Sequence, residues 1–258
     1  MERVTAPSGI TVSYDRYGQG PPLVLVHGGF SDHLTNWERV RPLLRDRFTV
    51  YAVARRGRGQ TSPTRGHSVD DESGDVAAVV RAVGQPAFLL GHSYGALCAL
   101  GAAGRHPDGV RKLVLYEPPH PTAMPPDTVA RLERVAATEG WDRLVETFMG
   151  EVLEVPADEV ARIKAAPYWR VWTADAEASL HDLRALSRYR FDAERYRSLR
   201  MPVQLLIGTG SPRQIYVTDA LAAVLPDVRI TDLEGQAHEG MTTAPDQFVA
   251  AISTFLLD

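Results

Sequence analysis

The feature that most constrains the fold of this chain is the pentapeptide Gly-His-Ser-Tyr-Gly at residues 91–95, which directly follows the apolar run 86–90. The apolar run predicts a short buried strand, and the small residues from Ala96 to Arg105 predict a helix after the turn. The two glycines leave room where a Cβ would collide with the neighbouring strand and helix. The hydroxyl of Ser93 then stands at the carboxyl end of a strand, over the positive end of a helix dipole. This context is typical of a nucleophile elbow, and the alternative is a serine in an ordinary glycine-rich turn.

The segments before and after the pentapeptide alternate between strand and helix patterns. Residues 2–18 alternate apolar and polar side chains around a Pro-Ser-Gly turn, which predicts an antiparallel hairpin at a sheet edge. Further strand and helix patterns follow one another at 23–26, 36–45, 48–53, 68–83 and 113–116. This alternation predicts an α/β fold with a mostly parallel, doubly wound sheet and helices on both faces.

The pattern changes after residue 118. Five prolines between 118 and 126 indicate an irregular exit from the sheet. Residues 128–197 then have amphipathic helical spacing without a convincing strand, and strand and helix patterns return at 203. We therefore predict an α/β core formed by residues 1–118 and 199–258, with a helical cap formed by residues 119–198. An insertion at the carboxyl edge of a sheet covers the site, because ligands bind at that edge.

A serine hydroxyl is a poor nucleophile unless a base lies within hydrogen-bond reach and an acid orients that base. Of the eight histidines, His238 is the best candidate because it lies in the loop between the last strand and the last helix. That loop is on the same rim of the sheet as Ser93, although a solvated loop histidine is the alternative. We expect His27, at the end of an early strand, to form structural hydrogen bonds, and His92 to point away from the nucleophile.

An oxyanion hole needs two backbone N–H groups that are aimed at one point. In an elbow, one of them belongs to the residue after the nucleophile, which here is Tyr94. The loop His27–Phe30 leaves an early strand at the same edge, and we predict that Gly29 supplies the second group, with Phe30 as the second choice. The alternative for this loop is a plain glycine turn.

Together these motifs resemble the α/β-hydrolase superfamily, in the group that carries a helical cap. The resemblance spans nearly the whole chain: the turn 27–29, the loop Arg56–Gly59, the elbow, and the late Gly-x-x-His that ends at His238. It implies the α/β-hydrolase fold, the chain order nucleophile, acid, histidine, and a cap that shapes the acyl and alcohol pockets.

The chain departs from this resemblance at two positions. Ala54 stands where the loop usually begins with Asp, so we expect a less rigid loop rather than a loss of activity. Ser211 occupies the usual place of the triad acid. Some cap-bearing members carry the acid at the end of the strand that follows the elbow, and Glu117 stands there. A carboxylate buried at a strand end is costly without a partner, and an imidazole N–H is a suitable one. The resemblance therefore implies Glu117 as the triad acid; the alternatives are a rim glutamate bound to backbone, or a supporting role for Asp232 or Glu234.

These residues predict a serine hydrolase that cleaves a small to medium, largely apolar carboxylic ester through an acyl-enzyme. Thioester hydrolysis or acyl transfer and cyclisation by the same triad are the alternatives, with C–C cleavage or perhydrolysis further behind. A non-catalytic ligand-binding protein of this fold is the alternative from another class. A serine at position 93 argues against epoxide hydrolysis and dehalogenation, which need a carboxylate nucleophile. The pocket is expected to be apolar if the cap aromatics line it, whereas otherwise they form the core of the cap: Trp141, Tyr168, Trp169, Trp172 and Tyr189.

Composition narrows the partners. The net charge is −4, and no basic cluster is large enough to suggest nucleic acid; Arg55, Arg56 and Arg58 are interleaved with glycines and predict a loop. No apolar stretch reaches the ~20 residues of a membrane helix. The N-terminal residues have no apolar core of a signal peptide, and the single cysteine, Cys98, fits a reducing compartment. We therefore expect a cytoplasmic enzyme with a small-molecule substrate. No ligand spacing suggests a metal, and no glycine-rich motif suggests a nucleotide cofactor, so we expect neither.

Overall fold

A mixed sheet runs through the centre of the molecule. The computed structural model describes residues 1–62, 66–155, 157–165 and 169–258, and these residues form one eight-stranded sheet in the order β1-β2-β4-β3-β5-β6-β7-β8. β1 and β2 form the predicted antiparallel hairpin at one edge, β2 is antiparallel to β4, and the other neighbours are parallel. The strands are β1 Glu2–Thr5, β2 Thr11–Gly18, β3 Pro22–Val26, β4 Thr49–Ala54, β5 Ala87–His92, β6 Val110–Tyr116, β7 Val203–Gly208 and β8 Val228–Leu233.

Helices cover both faces of this sheet. In the described part of the chain they are α1 Arg41–Leu44, α2 Val69–Ala82, α3 Tyr94–Arg105, α4 Pro126–Glu139, α5 Trp141–Glu151, α6 Ala157–Lys164, α7 Trp169–Ala174, α8 Ala176–Arg188, α9 Thr218–Ala222, α10 Gly240–Thr243 and α11 Pro245–Leu257. Alternate residues of the fully buried β3 join different clusters: Val24 packs with α2 and α3, whereas Leu25 packs with α1 and α11. This two-sided burial confirms the predicted doubly wound α/β fold.

The start of α2 illustrates how local sequence specifies an element. The N–H of Asp71 donates to the Ser68 hydroxyl at 3.1 Å, and the N–H of Ser68 donates to the Asp71 carboxylate at 2.9 Å. This capping box satisfies two N–H groups that the helix itself leaves without partners.

The predicted helix at 36–45 is wrong over most of its length. Residues 33–40 form successive turns, and only Arg41–Leu44 are helical. The Asp32 carboxylate accepts hydrogen bonds from the N–H groups of Leu34 and Thr35, both at 2.8 Å, so a side chain competes here with the helical pattern. Trp37 and Leu44, which the helical spacing selected, are nevertheless fully buried.

Helices α4–α8, which we call the cap, lie between β6 and β7, where the sequence predicted an insertion. In residues 119–155, 157–165 and 169–198 the backbone forms helices, turns and one isolated bridge from Pro119 to Tyr216. The boundaries at 119 and 198 remain a prediction. Within the described residues, no helix combines the length and apolarity that a membrane-spanning segment requires.

Candidate active site

Ser93 lies between β5 and α3 with φ 53° and ψ −126°, a conformation that is unfavourable for a residue with a Cβ. Its N–H donates to the Tyr116 carbonyl at 2.8 Å, which anchors the turn to the neighbouring strand. A Cβ on Gly91 would lie 2.5 Å from the Cα of Ala96, and a Cβ on Gly95 would lie 2.2 Å from the His27 carbonyl oxygen. Both glycines are therefore required by close backbone approach, as the elbow interpretation predicts.

His238 lies in the loop between β8 and α10, and its Nδ1 is 2.5 Å from Oε2 of Glu117. The other carboxylate oxygen of Glu117 accepts the N–H of Gly208 at 2.8 Å. Glu117 is fully buried and has φ 49°, so its backbone holds the side chain in an unusual direction at the end of β6. The structure thus brings together the predicted base and the predicted acid, which are 121 residues apart in sequence.

Glu117 and His238 shift each other's pKa. Burial by itself raises the pKa of Glu117, but the hydrogen bonds it accepts and the positive charge of His238 outweigh burial, so the net shift is downward. Burial by itself lowers the pKa of His238, but the hydrogen bond and charge of Glu117 reverse that effect and raise it. The Tyr216 hydroxyl lies 3.1 Å from Nδ1 of His238, with its ring stacked on the imidazole.

The loop that carries His238 is held by two residues whose role the sequence did not reveal. Nε2 of His92 donates to the carbonyl of His238 at 3.0 Å. The Tyr116 hydroxyl donates to the carbonyl of Ala237 and accepts the N–H of Gly240 at 3.0 Å. Burial, followed by the charge of His238, lowers the pKa of His92 well below its ordinary value. A neutral His92 therefore supports the loop of His238 through a backbone hydrogen bond.

The other acidic candidates near the rim lie apart from this pair. Asp232 is 61% exposed and lies 4.0 Å from Arg213, and Glu234 is also exposed. Ser211, at the usual position of the acid, lies close enough to Glu117 to help lower the pKa of that carboxyl.

Ser93 and His238 line the same cavity, beneath the cap. The cavity has a volume of about 90 Å³. Its described walls are mostly apolar and contain two carboxylates but no lysine or arginine. They consist of Gly29, Phe30, Ser31, His92, Ser93, Tyr94, Pro119, Ala123, Met124, Val145, Phe148, Met149, Val152, Leu153, Trp172, Asp182, Leu183, Leu186, Ile215, Tyr216, His238 and Glu239.

Of the described aromatic residues that the sequence singled out in the cap, Trp172 alone lines this cavity. Trp172 is in its wall, whereas Trp169 is buried and its indole N–H donates to Asp142. Trp141 is 38% exposed, and the Tyr189 hydroxyl pairs with that of Tyr196. Tyr168 lies outside the described residues. The wall also contains the rings of Phe30 and Phe148, whose centroids are 4.5 Å apart, and those of Tyr94 and Tyr216.

The two predicted sources of the second oxyanion N–H differ in the structure. The N–H of Phe30 donates to the Ser179 hydroxyl of α8 at 2.6 Å, so it is already engaged. Gly29 and Tyr94, the first choices, both line the cavity. His27 is buried, donates from Nδ1 to the Gly28 carbonyl at 2.8 Å, and accepts the N–H of Arg55 on Nε2 at 3.2 Å, as expected for a structural histidine.

The loop that follows Ala54 is supported by ion pairs. Arg55 and Arg58 are almost completely buried, and Arg55 pairs with Glu72 and Asp182, each at 2.7 Å. Among the described residues, His67, Glu72 and Asp182 are close enough together to suggest a cation site. The guanidinium groups already bind these carboxylates, so the cluster fits an ion-pair network better than a metal centre.

Comparison with known proteins places this geometry in a family. The sequence model described as "Alpha/beta hydrolase family" matches residues 23–251. The chain is 29% identical to the 2-(acetamidomethylene)succinate hydrolase of Mesorhizobium japonicum over 96% of its length and 92% of that protein. It is 27% identical to the N-formylmaleamate deformylase of Pseudomonas putida over 96% of its length and 94% of that protein.

Solved structures agree with these relatives. The crystal structure of an alpha/beta hydrolase from Sphaerobacter thermophilus superimposes with a TM-score of 0.85 at 32% identity, and covers 98% of this chain and 99% of that one. The enol-lactonase from Burkholderia xenovorans has the same fold, with a TM-score of 0.82 at 21% identity and full coverage of both chains. The chain therefore belongs to the alpha/beta hydrolase family and is a hydrolase.

Proposed function

We propose that this protein is a serine hydrolase that cleaves short, neutral carboxylic esters through an acyl-enzyme. The observation that carries the proposal is the buried bond between His238 and Glu117, on the wall of the cavity that Ser93 also lines. A charged acid–imidazole pair at the end of a buried strand is costly to maintain. Its position beside a serine held in an elbow suits a base that removes the serine proton.

The mechanism follows from which ring nitrogen of His238 is hydrogen-bonded to Glu117. Because Nδ1 of His238 donates to Glu117, Nε2 carries the lone pair and accepts the proton of Ser93. The serine oxygen attacks the ester carbonyl, and the N–H groups of Gly29 and Tyr94 stabilise the oxyanion of the tetrahedral intermediate. The imidazolium, stabilised by Glu117, protonates the departing alcohol, which leaves an acyl-enzyme. His238 then takes a proton from a water molecule, which attacks the acyl-enzyme ester. As the carboxylic acid leaves, His238 returns that proton to the oxygen of Ser93.

The cavity defines the class of acyl group. An apolar cavity of ~150 Å³ holds a benzene molecule, so about 90 Å³ suits a chain of a few carbons. The described walls contain no lysine or arginine. Of their two carboxylates, Asp182 is already paired with Arg55 and Arg58, and Glu239 is the other. A free carboxylate on the substrate would be buried here without a partner, which is costly. This supports a neutral ester rather than an acidic compound of the kind named by succinate and maleamate in the two relatives.

Hydrolysis of a neutral N-acyl compound is the second candidate, and the names of the two relatives favour it, since acetamido and N-formyl groups are amides. The same triad serves both reactions, because His238 protonates an amine as it would an alcohol. A side-by-side assay of matched ester and anilide substrates ranks the two.

The test uses p-nitrophenyl esters from acetate to octanoate, a matching thioester and anilide, and a fluorophosphonate label. Turnover with a maximum at acetate or butyrate, and labelling at Ser93, support the proposal. Ser93→Ala should lose both, whereas Ser253→Ala, a buried serine of α11, should retain both. A folded wild-type protein that neither labels nor turns over any acyl substrate would instead be a binding protein.

Substrate charge is tested with a matched pair. The p-nitrophenyl ester of monomethyl succinate is neutral, and the p-nitrophenyl ester of succinate with a free acid has nearly the same shape. We expect kcat/KM to be about 10-fold or more higher for the neutral ester, because only the free acid carries a charge into the cavity. Equal or faster cleavage of the acid would contradict the proposed substrate class.

A further inference from the structure

Gly29, a proposed oxyanion donor, lies in the loop that follows β3. The side chains of Arg55 and His27 form hydrogen bonds with the backbone of this loop. The carbonyl of Gly28 accepts hydrogen bonds from Nη2 of Arg55 at 2.9 Å and from Nδ1 of His27 at 2.8 Å. The Nε of Arg55 also donates to the carbonyl of His27 at 2.9 Å. Arg55 thus donates hydrogen bonds to two successive carbonyls of this loop.

The hydrogen bond from Arg55 to the carbonyl of Gly28 determines where the N–H of Gly29 points. The carbonyl of Gly28 and the N–H of Gly29 belong to one peptide unit, and the described chain has no cis peptide bonds. In a trans peptide these two groups point in opposite directions from a rigid plane. Fixing the carbonyl on Arg55 therefore aims the N–H to the other side, and Gly29 lines the cavity.

Arg55 is positioned in turn by the cap. Asp182 of α8 accepts from Nη2 at 2.7 Å and from Nη1 at 3.2 Å, a two-pronged bond that specifies orientation as well as distance. Both side chains are 1% exposed. The same guanidinium lies 4.7 Å from the ring centroid of Tyr94, the other proposed oxyanion donor. One arginine therefore binds the loop that contains Gly29 and packs on the side chain of Tyr94.

A second residue of α8 holds the next peptide of the loop. Ser179 precedes Asp182 by three residues, so both lie on the same face of the helix. Its hydroxyl oxygen accepts the N–H of Phe30 at 2.6 Å and a bond from Arg58 at 3.0 Å, and its proton goes to Asp175 at 2.7 Å. Phe30 has φ 53°, a strained value for a phenylalanine. The bond from Ser179 holds that strained turn in place.

We propose that helix α8 of the cap orients the oxyanion hole, with Asp182 and Ser179 as positioning residues that act through Arg55 and Phe30. The cap then takes part in the chemical step itself, besides enclosing the substrate. This inference rests on the proposed serine hydrolase function. If it holds, loss of either contact lowers kcat, because a misaligned N–H stabilises the oxyanion less well, and leaves KM nearly unchanged.

The experiment measures kcat and KM of Asp182→Asn and Ser179→Ala with p-nitrophenyl butyrate, per active site titrated with a fluorophosphonate. Removal of an oxyanion donor costs ~10²–10³ in kcat, so we expect a smaller loss of roughly 10- to 100-fold for Asp182→Asn and several-fold for Ser179→Ala. Affinity for a trifluoromethyl ketone, which forms a tetrahedral adduct, should fall by a similar factor in each variant. In Asp182→Asn, Arg55 keeps Glu72 and Arg58 keeps Asp175, which limits the structural damage.

Asp75→Asn is the matched control. It breaks a buried ion pair of the same loop, between Asp75 and Arg56 at 2.6 Å. The Asp75 carboxylate belongs to α2 and accepts hydrogen bonds from Ser8 and Arg56. We expect this variant to lose thermal stability but to keep its kcat per titrated site. If Asp182→Asn does not fold, Ser179→Ala decides, because it removes one hydroxyl that is outside the cavity wall.

The inference is overturned if both folded variants have a kcat per site, and a ketone affinity, within twofold of the wild type. Inactivity of the wild type itself would overturn the proposed function instead, so the two failures are distinguishable.

Discussion

Replacement of Glu117 by Gln tests the triad acid with almost no change in shape. The N–H of Gly208 donates to one carboxylate oxygen of Glu117, and Nδ1–H of His238 donates to the other. In the variant, Gly208 keeps the amide oxygen on its side, so the amide NH₂ faces His238. Nδ1 must then accept a hydrogen bond, and the imidazole proton moves to Nε2, where it blocks removal of the proton of Ser93.

The expected size of the effect follows from that tautomer. An acid-to-amide change of this kind in a serine triad lowers kcat by ~10⁴, so we expect a loss of roughly 10³–10⁴, or about 4–5 kcal/mol of transition-state stabilisation. The residual activity should also have a shifted pH profile. His238 acts as a base only when neutral, and Glu117 raises its pKa. Wild-type activity therefore falls as the pH drops through a value above the ordinary one, and the variant's acid limb moves to lower pH.

The assay is the pH dependence of kcat/KM with p-nitrophenyl butyrate, normalised to folded protein by thermal denaturation. Asp232→Asn and Glu234→Gln are the controls, because both side chains are exposed acids on the same rim. Each control should stay within twofold of the wild type. The reasoning is refuted if Glu117→Gln keeps more than a tenth of the activity, or if either control loses as much as Glu117→Gln.

Two further predictions concern packing and charge in the same region. Gly95→Ala puts a Cβ 2.2 Å from the His27 carbonyl oxygen and should destabilise the fold by about 3 kcal/mol or more. Gly150→Ala has open space around its Cβ in α5 and should raise the stability by ~0.5–1 kcal/mol. Chemical denaturation compares the two variants, and equal stability would contradict the predicted clash at Gly95. Burial, and after it the charge of Glu117, raises the pKa of Glu239 to about 7. As the pH rises through that value, Glu239 becomes negatively charged, so KM for the free-acid ester should increase, and Glu239→Gln should abolish this increase. If the variant has the same pH dependence of KM as the wild type, Glu239 does not face the substrate.

The elements that local patterns specify well were predicted well. The elbow depends on a strand, two glycines and a small-residue helix that are contiguous in sequence, and β5, Ser93 and α3 lie there. The helix predicted at 68–83 is likewise present as α2, with Ser68 at its N-terminus. The helix predicted at 36–45 was wrong because apolar spacing indicates which residues are buried, and Asp32 stabilised turns that bury the same residues.

The sequence by itself determined the α/β class, the strained serine and the histidine loop, since each depends on residues that are close together in the chain. Only the tertiary structure shows which of the candidate acids contacts His238, because Glu117 lies beside His238 only when β6 and the loop after β8 meet at one edge of the sheet. The same is true of α8: Asp182 and Ser179 look like ordinary polar residues of an amphipathic helix. Their contacts with Arg55 and Phe30 span more than 120 residues, and no local pattern encodes a pairing over such a distance.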